Sequence, residues 1–447
     1  MGKYFGTDGI RGVANETLTI DIAYRVGRFL GNYVKENGKG KICIGKDTRL
    51  SSSMFEHTIA SGIAASGASA YLLGYCSTPS LAYVSEHDDF DLGIMISASH
   101  NPYYDNGIKV FSNNGIKLSE NIELKVEEYI DNPKGLTIKT KDAIGFIYDY
   151  KEGLDHYKAW IKKLYPIKLN SYKVLIDCAN GSNSYIAKEI LMELGCNVTS
   201  INDDPNGTNI NNNCGSTHLE SLKENIKKDN YDIGFAFDGD ADRCLGVTKD
   251  GKDINGDIIM YALAKSLHKD NKLTNDTLVV TGYSNIGLHK ALKALNIKTD
   301  IVDNGDKYVL ESMLKNDFAL GGEQTGHIII KEDCNFGDGL KTALALLNAL
   351  NNLNETIEDI NKEIKIFPQL LVNQKVKDKK VVLNDLEILK EIEDVRSKLK
   401  DNGQVLVRPS GTEPLIRVMV EAENNELCKE YVDQIINKIK EKGYADA

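Results

Sequence analysis

Short runs of apolar, often β-branched residues alternate along the whole chain with stretches whose apolar positions recur every third or fourth residue. That alternation predicts strands interleaved with amphipathic helices, the pattern of a mixed α/β protein. Thr19 stands where an N-cap belongs, ahead of a helical pattern that puts Ile22, Val26, Phe29, Leu30 and Tyr33 on one face. A strand at Ile42-Cys43-Ile44, a helix over 54–66 and a strand at Tyr71-Leu72-Leu73 follow. A second unit opens with the strand Lys173-Val174-Leu175-Ile176-Asp177 and a helix over 183–194 that Gly195 stops. A third opens at Thr277-Leu278-Val279-Val280 and runs into a helix over 286–295.

Beyond these units the pattern changes. A strand over 368–376, a helix over 384–399, strands on either side of Pro409-Ser410-Gly411 and a final amphipathic helix over 425–441 predict a small α+β domain. Lys- and Asp-rich stretches at 131–142, 249–254 and 353–363 mark the expected seams. The expected organisation is three similar α/β domains with mixed sheets, at 1–153, 154–254 and 255–366, followed by a smaller α+β domain at 367–447.

In three places a short apolar strand runs straight into a polar loop. Gly93-Ile94-Met95-Ile96 leads into Ser97-Ala98-Ser99-His100-Asn101, Gly234-Phe235-Ala236-Phe237 into Asp238-Gly239-Asp240-Ala241-Asp242, and Phe318-Ala319-Leu320 into Gly322-Glu323-Gln324-Thr325-Gly326-His327. Ligands of α/β folds sit beyond the carboxyl ends of strands, so three such loops, one per domain, can converge on one cleft. No literal repeat period accompanies this similarity of plan.

Asp238-Gly239-Asp240-Ala241-Asp242-Arg243 carries the strongest chemical signal. Alternate side chains of an extended segment share a side, so three carboxylates can face one hard divalent cation, which removes their mutual repulsion. An EF-hand is excluded, because its sixth and twelfth positions would be Arg243 and Lys249 in place of Gly and Glu. Magnesium is the expected ion where phosphate is also bound. Ser97-Ala98-Ser99-His100-Asn101-Pro102 offers a serine beside a histidine, and Asp105-Asn106-Gly107-Ile108-Lys109 predicts a tight turn that brings a lysine to the same loop. The G-x-S-x-G elbow of hydrolases is absent.

Arg408-Pro409-Ser410-Gly411-Thr412-Glu413-Pro414 combines a guanidinium, two hydroxyls and a glycine-permitted turn, a means of cradling phosphate without a P-loop. Glu323-Gln324-Thr325-Gly326-His327 gathers the mixed donors and acceptors that sugar hydroxyls need. Gly6-Thr7-Asp8-Gly9-Ile10-Arg11-Gly12 is glycine-rich, but its spacing is not that of a dinucleotide site and no strand is predicted before it. Arg11 is a candidate phosphate contact there. Lys46-Asp47-Thr48-Arg49 reads as a salt-bridged loop before it reads as a second basic edge.

Composition narrows the classes. The 447 residues are 41% apolar and 27% charged, enough for several cores and unlike a disordered chain. A net charge of -11 excludes a general nucleic-acid surface. It leaves room for a phosphorylated substrate held locally by a few arginines and backbone amides. No signal region and no apolar run of about 18 residues is present, which argues against a membrane partner. Eight scattered cysteines without a CxxC pair suit a reducing compartment, so a cytoplasmic location is expected.

In this order and along the whole chain, the segments resemble the α-D-phosphohexomutase superfamily. Its four hallmark loops are matched by 97–102, 238–243, 322–327 and 408–414. The opening Tyr4-Phe5-Gly6-Thr7-Asp8-Gly9-Ile10-Arg11-Gly12, the glutamine at 324 and Asn213-Cys214-Gly215-Ser216-Thr217-His218 resemble its branch acting on glucosamine phosphates. The resemblance implies four domains around a central cleft, a homodimer, and interconversion of glucosamine 6-phosphate and glucosamine 1-phosphate for cell-wall amino sugars. It implies one Mg²⁺ per chain and a sugar 1,6-bisphosphate as activator.

The same resemblance makes Ser99 the phosphoserine and, with Asp238, Asp240 and Asp242, a metal ligand. It assigns catalysis to Ser99, Lys109, His100 and Arg11, and substrate binding to Arg243, Glu323, Thr325, His327, Arg408, Ser410, Gly411, Thr412 and Arg417. Lys109, His100 and His327 all stand as candidates for the proton acceptor. Two positions depart from the superfamily pattern: Thr325, where Ser is usual, keeps the hydroxyl, whereas Lys307, where Arg is usual, exchanges a fork for a point charge. The competing functions are a mutase of neutral hexose phosphates, a magnesium-dependent phosphosugar phosphatase and a non-catalytic phosphosugar sensor.

Overall fold

The computed structural model describes residues 2–6, 8–165, 169, 172–331, 334–410 and 413–446. Its strands form four sheets. The first contains β1 (Phe5–Gly6), β2 (Gly9–Val13), β3 (Lys41–Lys46), β4 (Ser69–Tyr75), β5 (Leu92–Ile96), β6 (Asp105–Ser112) and β7 (Ile147–Asp149), in the order β1-β2-β6-β5-β3-β4-β7. The second contains β8 (Lys173–Asp177), β9 (Asn197–Ile201), β10 (Ile233–Phe237), β11 (Cys244–Thr248) and β12 (Asp253–Ile254), ordered β12-β11-β10-β8-β9. The third contains β13 (Thr277–Thr281), β14 (Lys298–Val302), β15 (Leu320–Gly322) and β16 (Ile328–Ile330), ordered β14-β13-β15-β16. The fourth is antiparallel, with β17 (Gln369–Lys375) and β18 (Gln404–Pro409) flanking β19 (Leu415–Glu421).

One unit recurs in the first three sheets. A first strand lies between the second and the third, all parallel, and a fourth pairs antiparallel with the third. The similarity of plan seen in three strand-to-loop junctions is therefore a shared topology. Its central strands are near-continuous apolar runs because both sheet faces are covered. In the first sheet Ile42, Ile44, Ile94 and Ile96 enter one core, and the intervening Cys43 and Met95 enter another.

That second core runs unbroken from Tyr83 and Trp160 through Ile176 and Phe235 to Leu278 and Leu344, so the three α/β units share it. The fourth unit has a core of its own between Val376 and Ile439. Three units are thus packed as one body, with a fourth seated beside them.

Local expectations fared unevenly. The Thr19 hydroxyl caps the helix Ile20–Asn37 by accepting from Ile22 N, and the last helix spans Asn425–Glu441. Asp105-Asn106-Gly107-Ile108-Lys109 is no tight turn; it belongs to β6, pairing with β2 and β5. The glycine-rich opening is likewise the β1–β2 hairpin, so a strand does precede Arg11. The 249–254 stretch is a hairpin inside the second sheet, and most of 353–363 is the capped helix Ile357–Glu363. Lys and Asp runs mark solvent exposure, which helices and hairpins share with linkers.

Candidate active site

The three polar loops are one topological feature repeated: each joins the third strand of its unit to the fourth. They meet through backbone contacts. Cys244 N donates to Gly326 O at 3.0 Å and Arg243 bridges His327, while Thr78 N, at the start of the helix Thr78–His87 of the first unit, donates to Asp240 O at 2.9 Å. Gly239 faces the serine loop so closely that a Cβ would lie 2.7 Å from Ser99 O and 2.9 Å from Asn211 Nδ2. Position 239 must therefore lack a side chain for the two loops to touch.

Ser99 sits at the centre, buried, with φ +52°. A β-carbon in the left-handed region is strained, and such strain persists only where the surroundings overdetermine it. Here a single guanidinium does so. Arg49, 1% exposed, donates to Ser99 O at 2.7 Å, Asn101 O at 2.9 Å and Asp105 O at 3.1 Å, and also to Pro102 O. Its Nε pairs with Asp47 at 2.8 Å, and Asp47 in turn accepts from Ser97 Oγ at 2.7 Å. From the second unit Asn211 Nδ2 donates to Ser99 O at 2.8 Å and Asn101 O at 3.2 Å. The 46–49 segment is the salt-bridged loop that its composition predicted, but buried and wrapped around the serine loop.

Held this way, Ser99 Oγ donates to Asp238 Oδ2 at 2.6 Å and stands 3.4 Å from His100 Nδ1. Asp238, Asp240 and Asp242 are all buried, with one carboxylate oxygen of each within 4.8 Å of the others. Burial and the neighbouring Asp242 and Asp240 push the Asp238 carboxyl up to about 8. Asp240 Oδ1 and Asp242 Oδ1 are buried without a hydrogen-bond partner. An all-oxygen donor set with orphaned acceptors fits a hard divalent cation such as Mg²⁺.

A second tier of charge surrounds the triad. Lys109 Nζ contacts Asp240 Oδ2 at 2.8 Å, Asp8 Oδ2 at 3.0 Å and Asp242 Oδ2 at 3.6 Å. Burial opposes its charge, but Asp240, Asp8 and Asp242 outweigh that and hold the ammonium above its ordinary value. For His327 burial is likewise outweighed, by Asp242, Asp306 and Glu323, which raise it to about 9. His100 goes the other way, pushed to about 4 by burial and by Arg243 and Arg11. Among the three candidate proton acceptors, the carboxylates hold Lys109 and His327 charged at pH 7, whereas burial and the two arginines leave His100 neutral.

Arg11 pairs with Asp8 and reaches Asn101 Oδ1 at 3.4 Å. Lys117 joins the first unit to the third through Asp8 at 3.0 Å and Asp306 at 2.6 Å. A cavity of about 550 Å³ opens behind this tier, lined by Asp8, Lys109, Lys117, Asp242, Asp306 and His327 together with Phe111 and Phe336.

Arg408, Ser410 and Arg417 gather at the end of the β18–β19 hairpin, while Gly411 and Thr412 lie outside the described residues. Arg408 and Arg417 are directly opposed across the strands, which places two like charges on one face, and Arg417 Nε is buried without a partner. Such a pair is stabilised by an anion. Arg408 stacks on Tyr283, 4.4 Å from the ring centroid, and its Nε donates to the Tyr283 hydroxyl at 2.8 Å. Among the described residues, no hydrogen bond or ion pair joins this hairpin to the serine–aspartate cluster. Thr325 is exposed, and Glu323 half-buried, at the tip of the third-unit hairpin. Lys307 lies exposed beside Asp306.

Asp8, Arg49, Thr78, Asn211, Lys117, Asp306 and Tyr283 were not legible as site residues. Thr78 is the plainest case: its hydroxyl donates to Asp240, 162 residues away, and no local pattern announces so distant a partner. A short polar-apolar helix start is all that the sequence shows there.

Similarity to known proteins agrees with this geometry. Four models of the phosphoglucomutase/phosphomannomutase family match in order: alpha/beta/alpha domain I over residues 2–135, domain II over 151–251, domain III over 255–367 and the C-terminal domain over 371–438. A phosphoglucosamine mutase of Lachnospira eligens is 46% identical, with 100% of both chains covered. One of Bacillus subtilis is 42% identical over 98% of this chain and 99% of its own. Among solved structures, a phosphoglucomutase/phosphomannomutase family protein of Burkholderia thailandensis superposes with TM-score 0.80 at 23% identity, covering 98% of each chain. The Aspergillus fumigatus N-acetylphosphoglucosamine mutase, solved in complex with GlcNAc-6P and magnesium, superposes with TM-score 0.71 at 17% identity over 98% of this chain and 96% of its own. The chain belongs to the phosphoglucosamine mutase family of the α-D-phosphohexomutase superfamily.

Proposed function

We propose that the protein is an isomerase that interconverts glucosamine 6-phosphate and glucosamine 1-phosphate, with Ser99 carrying the phosphoryl group between turnovers. The observation that carries this reading is the buried Ser99 Oγ donating to Asp238 within a nest of three aspartates. Binding alone has no use for a hydroxyl held in a strained loop beside three carboxylates. The amino sugar is supported by full-length relatives named phosphoglucosamine mutase at 42% identity and above.

In the first half-reaction the bond between phosphorus and Ser99 Oγ breaks as one to a sugar hydroxyl forms. The hydroxyl proton passes to an acceptor in the site and returns to Ser99 Oγ. Mg²⁺ held by Asp238, Asp240, Asp242 and the phosphorylated Ser99 supplies charge neutralisation for the phosphoryl oxygens. Arg11 and Arg243 flank the transferring group, while Glu323, Thr325 and His327 face the sugar. Arg408, Ser410 and Arg417, with Gly411 and Thr412, hold the phosphate that is not reacting. The resulting 1,6-bisphosphate turns around, and its other phosphate returns to Ser99. Added sugar 1,6-bisphosphate rephosphorylates Ser99 whenever the intermediate escapes, which is why it activates.

The substrate is tested by comparing kcat/KM for glucosamine 1-phosphate, glucose 1-phosphate and mannose 1-phosphate in a coupled assay with Mg²⁺ and a trace of bisphosphate. A clear preference for the amino sugar is expected. Preference for glucose or mannose keeps the chemistry and moves the substrate. The metal nest is tested by Asp240→Asn, which is expected to lower kcat and raise the Mg²⁺ concentration for half-activation together. Unchanged activity and an unchanged metal response would remove Asp240 from the nest. Of His100→Ala, Lys109→Ala and His327→Ala, the one that removes the proton acceptor is expected to lose roughly 10²–10⁴-fold in kcat.

A cytoplasmic location belongs to the same reading, and the eight cysteines are buried free thiols. So does a homodimer, with the open edge of β7 as its face. Ile138, Ile144, Phe146, Ile147 and Tyr148 lie exposed on or beside that edge, which among the described residues pairs with β4 alone, on its inner side. An unpaired apolar edge favours a partner. Phe146→Lys is expected to halve the mass measured by light scattering; a mass unchanged from the parent would place any dimer contact elsewhere.

A further inference from the structure

The short segment Tyr283-Ser284-Asn285-Ile286 lies at the junction of the third and fourth units, and two buried carboxylates grip two of its successive amides. Asp257 Oδ2 accepts from Asn285 N at 2.8 Å, and Glu421 Oε2 accepts from Ile286 N at 3.1 Å. Both side chains are fully buried, and Asp257 Oδ1 and Glu421 Oε1 have no hydrogen-bond partner. Each carboxylate reaches one functional loop. Asp257 Oδ2 also accepts from Gln324 Nε2 of the sugar loop at 3.2 Å. The helix bearing Asp257 receives that loop so closely that a Cβ at Gly256 would lie 2.1 Å from Glu323 O. Glu421 ends β19, whose other end leads back to the Ser410 loop, and Tyr283 in the gripped segment holds Arg408.

We propose that Asp257 and Glu421 are positioning residues that set the sugar loop and the phosphate hairpin relative to one another through the 283–286 segment, and that a proton retained on the buried Glu421 carboxyl, at its unpartnered Oε1, is part of this grip. The inference rests on the mutase reading for its kinetic test and on the junction alone for its stability test. Gln324 then acts at a distance from the sugar. Its amide is committed to Asp257, so glutamine at this position matters by fixing where Glu323 and His327 stand.

The proton follows from what faces the pair. Ser284, Gln324 and Asn285 face Asp257; Gln404, Asn285 and the Cys428 thiol face Glu421; the Asp257 charge also acts on Glu421, and no basic group is among these neighbours. Two buried carboxylates without a cation do not both ionise readily. Burial raises Asp257 to about 6, and burial reinforced by Asp257 raises Glu421 to about 8. Both values lie above those of an unfolded carboxylate, so the native state binds more protons than the unfolded one. Stability is then full at low pH and is lost as pH climbs toward about 8.

The test measures kcat and KM for glucosamine 1-phosphate, and Tm from pH 5 to 9, in the parent, Asp257→Ala, Asp257→Asn and Glu421→Gln. Asp257→Ala removes the acceptor for both Asn285 N and Gln324 and is expected to raise KM about tenfold, with kcat changing less. Asp257→Asn keeps an acceptor oxygen and is expected to recover most of that loss. The parent Tm is expected to fall relative to Glu421→Gln as pH rises to about 8 and to level off above it. A parent-like KM in both Asp257 variants would overturn the positioning role even if Tm dropped. A gap between the parent and Glu421→Gln that does not vary with pH would overturn the retained proton. The Tm measurement involves no substrate, so it stands even if the protein prefers another hexose phosphate.

Discussion

Ser99→Ala is expected to abolish phosphoryl transfer while leaving the fold in place. The nucleophile has no substitute: Asp238 Oδ2, at 2.6 Å from Ser99 Oγ, belongs to the metal nest, and His100 Nδ1, at 3.4 Å, lies at a different point of the loop. Loss of a covalent nucleophile costs roughly 10⁴-fold or more in kcat. The structural cost is small, because alanine carries the same β-carbon in the same left-handed backbone and only the bond to Asp238 is lost. That bond contributes about 1 kcal/mol, and its removal leaves Asp238 among neighbouring carboxylates that already push it toward the protonated form. Activity measured with bisphosphate present, alongside the thermal midpoint, checks both halves. A variant that still turns over would remove Ser99 from the mechanism.

Arg49→Met is the largest expected effect on stability. The guanidinium is buried against Asp47 and satisfies four carbonyls of the loop that carries Ser99. Methionine fills comparable space but leaves Asp47 charged, buried and without its cation. Breaking a buried pair from one side costs on the order of 3–5 kcal/mol. Asn211 still holds two of the carbonyls, so the loop loosens before the second unit separates from it. Arg49→Lys restores the charge without the fork. It is therefore expected to regain most of the urea midpoint but little of the rate of Ser99 phosphorylation. If Arg49→Met unfolded at the parent's urea concentration and kept its activity, the loop would be shown to hold its own shape.

Much of this site could be read from residues in order, because its chemistry is concentrated in short runs. Asp238-Gly239-Asp240-Ala241-Asp242 displays its carboxylates by strand alternation alone, and the structure brings all three together. The strand Lys173–Asp177 and the Thr19-capped helix were equally plain, since each obeys a local rule. What escaped depends on distance. Arg49 looks like a surface cation until the serine loop, fifty residues later, is laid over it. Lys109 was expected on a turn beside the serine loop, yet it reaches the triad from the middle of β6, because a strand and a turn share the residues Asn106 and Gly107. The threefold recurrence of topology leaves no mark on residue identity, since the strands require only apolar side chains and the three loops have diverged in chemistry. Asp257 and Glu421 read as ordinary acids near a helix start and a strand end; only their burial at one junction sets them apart.

The central claim is that a phosphoryl group on Ser99 passes to the sugar and comes back. Single-turnover transfer from protein labelled with ³²P at Ser99 to glucosamine 6-phosphate tests it most directly. The label is expected to leave the protein as fast as turnover, to appear first in glucosamine 1,6-bisphosphate, and to distribute between the protein and the monophosphates. Label that appears directly as inorganic phosphate, with no bisphosphate formed on the way, would contradict the mutase and identify a phosphatase.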